Sequence, residues 1–507
     1  MSKYILAHDM GTSGDKAVLF TLDGKVVKSV HGDYPTYFGE NGAVEQNPLD
    51  WWKCVCDRTQ EILQGIDKKA IAAITFVGQM MSCTCIDKNG NPLRNSIIWA
   101  DGRSKKQMEQ LAAAYGEKEL YYTSGHRESP YYSLTKFMWV KENQPEIYQN
   151  TYKTLNCKDF IVMKLTGKYM TDYSDASSTM AFDIRKKCWA IGLIETAGLD
   201  PEKFAEIRPG NSVVGEVTRA ASEECGLLPG TPVVLGGGDG PCCRVGMGVV
   251  AQGDEAVNIG TSAFDTLCMN EPLDDPTRRV INFAHVIPGL VSATGTMQAA
   301  GASITWMHDN LCFDEIAKSK ETGKGEFSFI NANAAKSPVG ANGLLFLPYL
   351  QGERAPHWNA DAKGVFVGLT MKHTVNDMKR AVYEGIALNL GLIHNIIKDR
   401  ATIPMPKQLV LTGGAAKSKI VSQTMADIFN MDMLLTNVSD EVGSLGAAVV
   451  AGYAIGEYKS MDMARKFFTV TETVHPIEEN VRRFKEIIGV FQEAYDALVP
   501  VFPKLHA

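Results

Sequence analysis

Four short segments combine residue types that could hold a phosphate or move a proton. Asp9-Met10-Gly11-Thr12-Ser13-Gly14-Asp15-Lys16 sets a carboxylate ahead of two glycines, two hydroxyls and an amine. Glycines let backbone N–H groups approach a phosphate closely, while Thr12, Ser13 and Lys16 add donors and a positive charge. Asp9, closing an apolar run, could orient Mg²⁺, which takes oxygen ligands and keeps several waters. The segment lacks the GxxxxGK[ST] spacing of a P-loop. Alone it reads equally well as a hairpin turn that happens to carry hydroxyls. Asn258-Ile259-Gly260-Thr261-Ser262 repeats its Gly-Thr-Ser core about 249 residues later. That recurrence favours phosphate binding, because two such turns could grip one polyphosphate from both sides.

The third segment, Leu409-Val410-Leu411-Thr412-Gly413-Gly414-Ala415-Ala416-Lys417-Ser418, is an apolar run ending in a glycine pair. Small residues there would let an adenine ring lie on the backbone, and they would equally suit an ordinary strand-to-helix turn. The fourth, Gly236-Gly237-Gly238-Asp239-Gly240, clears space around one carboxylate. Asp239 could accept the proton of a substrate hydroxyl, as phosphoryl acceptors require, or could simply cap the next segment.

The elements that must position these groups alternate in a recognisable order. Tyr4–Ala7, Ala17–Phe20 and Val26–Val30 read as a three-stranded meander, with Asp23-Gly24 as a hairpin turn. A helix is expected from Pro48 to Leu63, a buried strand from Ala70 to Val77, and a turn at residues 88–91. Residues 100–230 look largely helical. Pro232–Leu235 is a strand running into the fourth segment. Strands at Asp254–Ile259 and Ala263–Met269 then flank the second turn. Val280–Ile287 and Leu290–Thr294 continue the pattern, a long helix runs from Val375 to Asp399, and a strand at Gln408–Leu411 leads to the glycine pair. The two halves share one plan, so the chain reads as an α/β protein of two duplicated domains with a catalytic cleft between them. The boundary is expected near residue 247, giving domains 1–246 and 247–507. Residues 317–326, rich in Lys, Glu and Gly, read as a surface loop or frayed helix.

Composition narrows the function. A chain of 507 residues has ample length for a large core, and 45% apolar with 21% charged residues is ordinary globular composition. A net charge of −7 with no basic block argues against a nucleic-acid binder. No apolar run of about 18 residues suggests a membrane span. The first residues lack the apolar core of a signal peptide. Eleven cysteines, an odd number, fit reduced thiols in a cytoplasmic protein. The spacings Cys54-x-Cys56 and Cys83-x-Cys85 do not match common metal sites.

These segments, taken together, resemble the FGGY family of carbohydrate kinases, and most of all its xylulokinase branch. Val44-Glu45-Gln46-Asn47-Pro48 with Trp51-Trp52, Trp99-Ala100-Asp101-Gly102-Arg103, and Tyr131 through Val140 are similar to its N-terminal motifs. Gly364–Leu369 through Glu384 resembles its second signature, and Pro348 through His357 is very like the xylulokinase P-Y-L-x-G-E-R-x-P-H. The resemblance implies two actin-like, ribonuclease H-like ATPase domains and ATP-dependent phosphorylation of a small ketose, D-xylulose first. Asp239 would be the general base and Asp9 the Mg²⁺ ligand. Thr12 and Ser13, with Gly260 and Thr261, would cradle the β- and γ-phosphates. Gly301, Gly414 and Ser418 would line the adenosine site, Ser418 replacing a frequent Asn. The sugar pocket would use Gln79, Met80, Met81, Tyr131, Asp239 and Gly240.

Two departures fall on that pocket. Xylulokinases read G-Q-M-H-G where this chain has Gly78-Gln79-Met80-Met81-Ser82, and Asn where it has Gly240. Losing a hydrogen-bonding group from such a pocket changes substrate discrimination strongly. Ribulose, a tetritol, glycerol or gluconate are therefore alternative acceptors. An actin-like or chaperone-like ATPase would share the phosphate turns but would not account for the two sugar-kinase signatures. Family members are often dimers, which allows a homodimer. His8 reads as a strand residue, and Glu353-Arg354 as a pair that fixes a loop.

Overall fold

The computed structural model describes residues 3–437 and 441–505. The chain forms two compact units: 1–252 with 268–292 and 438–468, and 253–267 with 293–437 and 469–507. The first crossing falls at Gln252, and a late segment returns to the first unit.

The first unit is built on a seven-stranded sheet. Tyr4–Met10 pairs antiparallel with Gly14–Thr21, which pairs with Val26–Asp33, as the meander requires. On its other side Tyr4–Met10 lies parallel to Ile71–Gly78, which also pairs with Pro232–Val234 and Gly237–Gly238. The central strands are buried along their length, so they read as near-continuous apolar runs. The helix Pro48–Ile62 begins where Asn47 accepts the Leu49 N–H and Pro48 fills the first turn. It lays Trp51, Val55 and Ile62 against the sheet, in a core that includes Leu6, Ile74, Phe76 and Phe160.

The second unit repeats the frame. Glu255–Ile259 pairs antiparallel with Ala263–Met269 and parallel with Gln408–Thr412, which in turn lies parallel to Asp432–Thr436. Val470–Val474 closes that edge antiparallel. The long helix runs Val375–Arg400, started by a reciprocal Thr374–Asp377 capping box. The polar stretch at 317–326 is helical up to Thr322, stops where Gly323 takes left-handed backbone, and resumes as a helix at Glu326.

All eleven cysteines are free and all but Cys188 and Cys243 are buried. Among the described residues no helix is long and apolar enough to cross a membrane.

Candidate active site

In the first unit, three parallel strands deliver their carboxyl ends to one place. Asp9 is in register with Val77, and both Met10 and Gly238 with Gly78. Asp9, Gln79 and Asp239 therefore leave the sheet side by side, at the edge where open α/β sheets bind ligands. Asp239 is the first residue of the helix Asp239–Gly246, and its Oδ1 accepts the Gly240 N–H at 2.6 Å. The side chain keeps solvent access. The protein crowded around it still desolvates the carboxyl and raises it above the usual range, with the Gly240 amide and Arg244 opposing. Asp9 is pushed up to about 7, first by burial and then by the like charge of Asp239, with Lys16 pulling the other way.

Lys16 faces Asp9 across the hairpin, and its Nζ lies 2.7 Å from Glu441 Oε2. Its charge is thus shared with a second carboxylate. His8 is buried between Asp15, 2.8 Å from Nδ1, and Thr59, 3.1 Å from Nε2, away from any pairing with Asp9.

The turn carrying Thr12 and Ser13 is held by side chains from separate segments of the chain. Gln46 Nε2 donates to the Thr12 carbonyl at 2.6 Å and to Thr36 Oγ1 at 2.8 Å. Gln46 Oε1 accepts from Trp51 Nε1 at 2.9 Å and from Gln79 Nε2 at 2.8 Å. Gln46 thus uses its whole amide. The Tyr34 hydroxyl donates to the Gly11 carbonyl, and Trp99 Nε1 donates to Thr12 Oγ1 at 2.8 Å. That bond leaves the Thr12 hydroxyl hydrogen to point elsewhere. Asp101 is clamped by Arg103 and accepts the Val44 N–H, so the W-x-D-x-R segment braces this loop.

The expected sugar-pocket residues fall into two groups. Gln79 is almost fully buried, its Nε2 spent on Gln46 and the Gly11 carbonyl, while its Oε1 has no hydrogen-bond partner. Met80 packs over Gly238, where a Cβ would lie 2.6 Å from the Met80 sulfur and would force that side chain aside. Met81 adopts φ 65, and Lys136 Nζ holds its carbonyl at 2.9 Å. Tyr131 is half-exposed, its ring beside Gly102. Gly240 lies against Arg244: a Cβ there would lie 3.6 Å from the guanidinium, in ordinary contact. Burial lowers Arg244 to about 10, which keeps it charged at neutral pH.

Residues outside the sequence expectation complete this side. Lys136 is wholly buried and also donates to the Ile98 carbonyl at 2.7 Å. Ser174 Oγ accepts the Gly238 N–H at 3.0 Å, and itself donates to Asp172, which pairs with the buried Lys158. These residues anchor the strand end before Asp239. Gln46, Trp99 and Lys136 lie inside the family motifs, so the signal was present without the role. Ser174 and Lys158 lie in no motif.

In the second unit, a cavity of about 520 Å³ is lined by Gly260, Thr261, Gly301, Gly414 and Ser418, with Thr305, Asn331 and Tyr383 among the others. Gly301 opens the helix Gly301–Leu311 directly on the second turn. Its N–H donates to the Gly260 carbonyl at 2.9 Å, and a Cβ would lie 2.3 Å from that oxygen. Gly413 closes strand Gln408–Thr412 against Ile259, outside the cavity lining. Glu353 is loop-fixing through amides: its carboxylate accepts from the Gln298 and Arg354 N–H groups and from Asn389. Burial raises it to about 8. His357 stacks on Tyr495 and bonds Tyr349. The most xylulokinase-like motif is therefore scaffold within the second unit.

Residues 4–246 match the N-terminal domain, and residues 256–455 the C-terminal domain, of the FGGY family of carbohydrate kinases. A gluconokinase of Bacillus subtilis is 31% identical over 97% of this chain and 95% of its own length. A xylulose kinase of Staphylococcus epidermidis is 32% identical over 98% and 97%. The crystal structure of a ligand-bound xylulose kinase from Lactobacillus acidophilus superposes with a TM-score of 0.91 at 28% identity, covering 99% of this chain and all of that one. With both halves matched in order and relatives aligned end to end, the chain belongs to the FGGY family of carbohydrate kinases.

Proposed function

We propose that this protein transfers the γ-phosphoryl group of ATP to a hydroxyl of a small ketose, with D-xylulose as first acceptor and D-xylulose 5-phosphate as product. One observation carries the chemistry: a solvent-accessible carboxylate, Asp239, stands beside a partly buried one, Asp9, at the carboxyl edge of one sheet. Asp239 takes the proton of the attacking hydroxyl, and its raised carboxyl suits a base working near neutral pH. Desolvation and the like charge of Asp239 disfavour the Asp9 anion, which suits a hard divalent cation that takes oxygen ligands. It would hold Mg²⁺, and that ion supplies charge neutralisation for the transferred phosphoryl group. Thr12 and Ser13 donate to the phosphates from the first turn, Gly260 and Thr261 from the second. The 520 Å³ cavity takes the adenosine, with Gly301, Gly414 and Ser418 along its wall. Lys16, tied to Glu441, tunes the charge beside Asp9. Gln79, Met80, Met81, Tyr131 and Gly240 shape the acceptor side.

A second acceptor, gluconate, is favoured by Arg244. Its guanidinium lies next to Gly240 and close enough to Asp239 to lower that carboxyl, so a carboxylate-bearing sugar brought to this spot would meet a positive charge that gives a neutral ketose no such partner. ADP release measured over a panel of D-xylulose, D-ribulose, gluconate, glycerol and tetritols decides between them. Highest kcat/KM with D-xylulose supports the first reading and highest with gluconate the second. ATP hydrolysis indifferent to every acceptor would overturn both.

A further inference from the structure

Within the cavity of the second unit, one side chain is oriented by two others. Asn331 lies on the helix Glu326–Ala334, one turn after Phe327 and Ser328 on the same face, and all three line the cavity. Its Oδ1 accepts the Tyr383 hydroxyl at 2.9 Å and the Ser418 hydroxyl at 3.0 Å. A carbonyl oxygen has two lone pairs, so both are used. Tyr383 is buried on the long helix, and Ser418 is nearly buried ahead of the helix Lys419–Phe429. Both hydroxyls are therefore held by well-packed elements. In this orientation both hydroxyls donate to Oδ1, and the NH₂ is the end left over. The Nδ2 group, with two N–H donors, has no hydrogen-bond partner among the described residues.

We propose that Asn331 reads the nucleobase, donating from Nδ2 to a ring-nitrogen acceptor of the purine. This deepens the reading of the cavity as the nucleotide site and rests on it. Phe327, nearly half-exposed at 48%, and Ile304 offer apolar surface for the ring, and Gly301 and Gly414 keep the backbone side low. Ser418 and Tyr383 act through Asn331 as positioning residues.

The test is Asn331→Asp. The carboxylate still accepts from Tyr383 and Ser418 and keeps the side chain's shape, and only the two donors are lost. The expected result is an ATP KM raised about tenfold or more with kcat little changed, the loss of a hydrogen bond made to a held acceptor. Tyr383→Phe with Ser418→Ala, which frees the amide to turn, should raise ATP KM by a smaller factor and narrow the preference for ATP over pyrimidine triphosphates. Titration calorimetry with ATP separates the two claims. If the wild type binds ATP and Asn331→Asp binds it equally, the role of Asn331 is overturned while the site stands. If the wild type does not bind ATP, the nucleotide reading itself fails. A melting temperature near that of the wild type shows that each variant is folded, and a variant that melts early is replaced by Asn331→Ser, for which the same KM rise is expected.

Discussion

Around Gly11–Ser13 the turn is held by side chains, whereas around Gly260–Ser262 it is held by backbone. Gln46, Tyr34 and Trp99 converge on the first. The helix starting at Gly301 sits directly on the carbonyls of the second, with Gly301 and Ala302 donating to Gly260 and Thr261. Charge divides the same way. The first region collects Asp9, Asp239, Lys16, Glu441 and Arg244. The cavity of the second is lined by one charged residue, Lys417, among small, apolar and hydroxyl-bearing ones. The same strand–turn–strand frame thus stands in two different surroundings. On the function proposed above, one copy moves a proton and handles charge, and the other holds a neutral, flat ring.

The sharpest way to break this division is Asp239→Asn. Losing the base should lower kcat at least about a hundredfold while leaving ATP KM near the wild-type value, checked by steady-state kinetics. Gly301→Ala should do the reverse. Its methyl group would force the helix start away from Gly260, and displacement of that kind costs about 1–3 kcal/mol. The expected result is an ATP KM raised roughly tenfold or more, with a smaller effect on acceptor KM. Comparable loss in both parameters for both variants would erase the contrast.

A smaller effect should separate the units by pH. In the second unit the buried His394 lies 2.7 Å from Glu255 and 3.4 Å from Asp265, and stacks on Phe429. Burial alone would lower His394, but the two carboxylates outweigh it and hold it up at about 10. Glu255 is raised to about 7 by burial and by Asp265, against the pull of His394. Both groups bind protons more tightly folded than unfolded. Their contribution is therefore present at low pH and falls as pH rises, through about 7 for Glu255 and about 10 for His394. Thermal unfolding should show the wild type losing stability between pH 7 and 10 more steeply than His394→Gln. Equal slopes would remove the triad from the account.

Much of the frame was legible in sequence because it rests on local signals. The meander, the helix after Asn47-Pro48, the long Val375–Arg400 helix and both Gly-Thr-Ser turns follow from periodicity, caps and glycines. Most candidate phosphate and adenosine residues lie in glycine-bearing turns at strand ends, a local signal, while Gly301 and Ser418 stand at helix starts. What spacing could not show is which hydrogen bonds are already spent. Gln79 looks like a free amide in the sequence, yet its donor is committed to Gln46 and Gly11. Lys16 looks like a free charge, yet Glu441, 425 residues away, shares it. The return of residues 438–468 to the first unit is likewise a long-range packing outcome, carried by apolar residues such as Leu445 and Val449 that join its core. The Pro348–His357 motif pointed to a sugar, but its conformation is set by a buried network around Glu353 and Tyr349.

The division of labour between the two regions is tested most directly by equilibrium ATP titration of Asp239→Asn, followed calorimetrically with Mg²⁺ present. The account predicts that this variant, inactive in phosphoryl transfer, binds ATP no more weakly than the wild type, because the nucleotide is held by the cavity lined by Gly260, Gly301 and Gly414. Loss of ATP binding in parallel with loss of turnover would contradict it, since Asp239 would then serve the nucleotide rather than the acceptor hydroxyl.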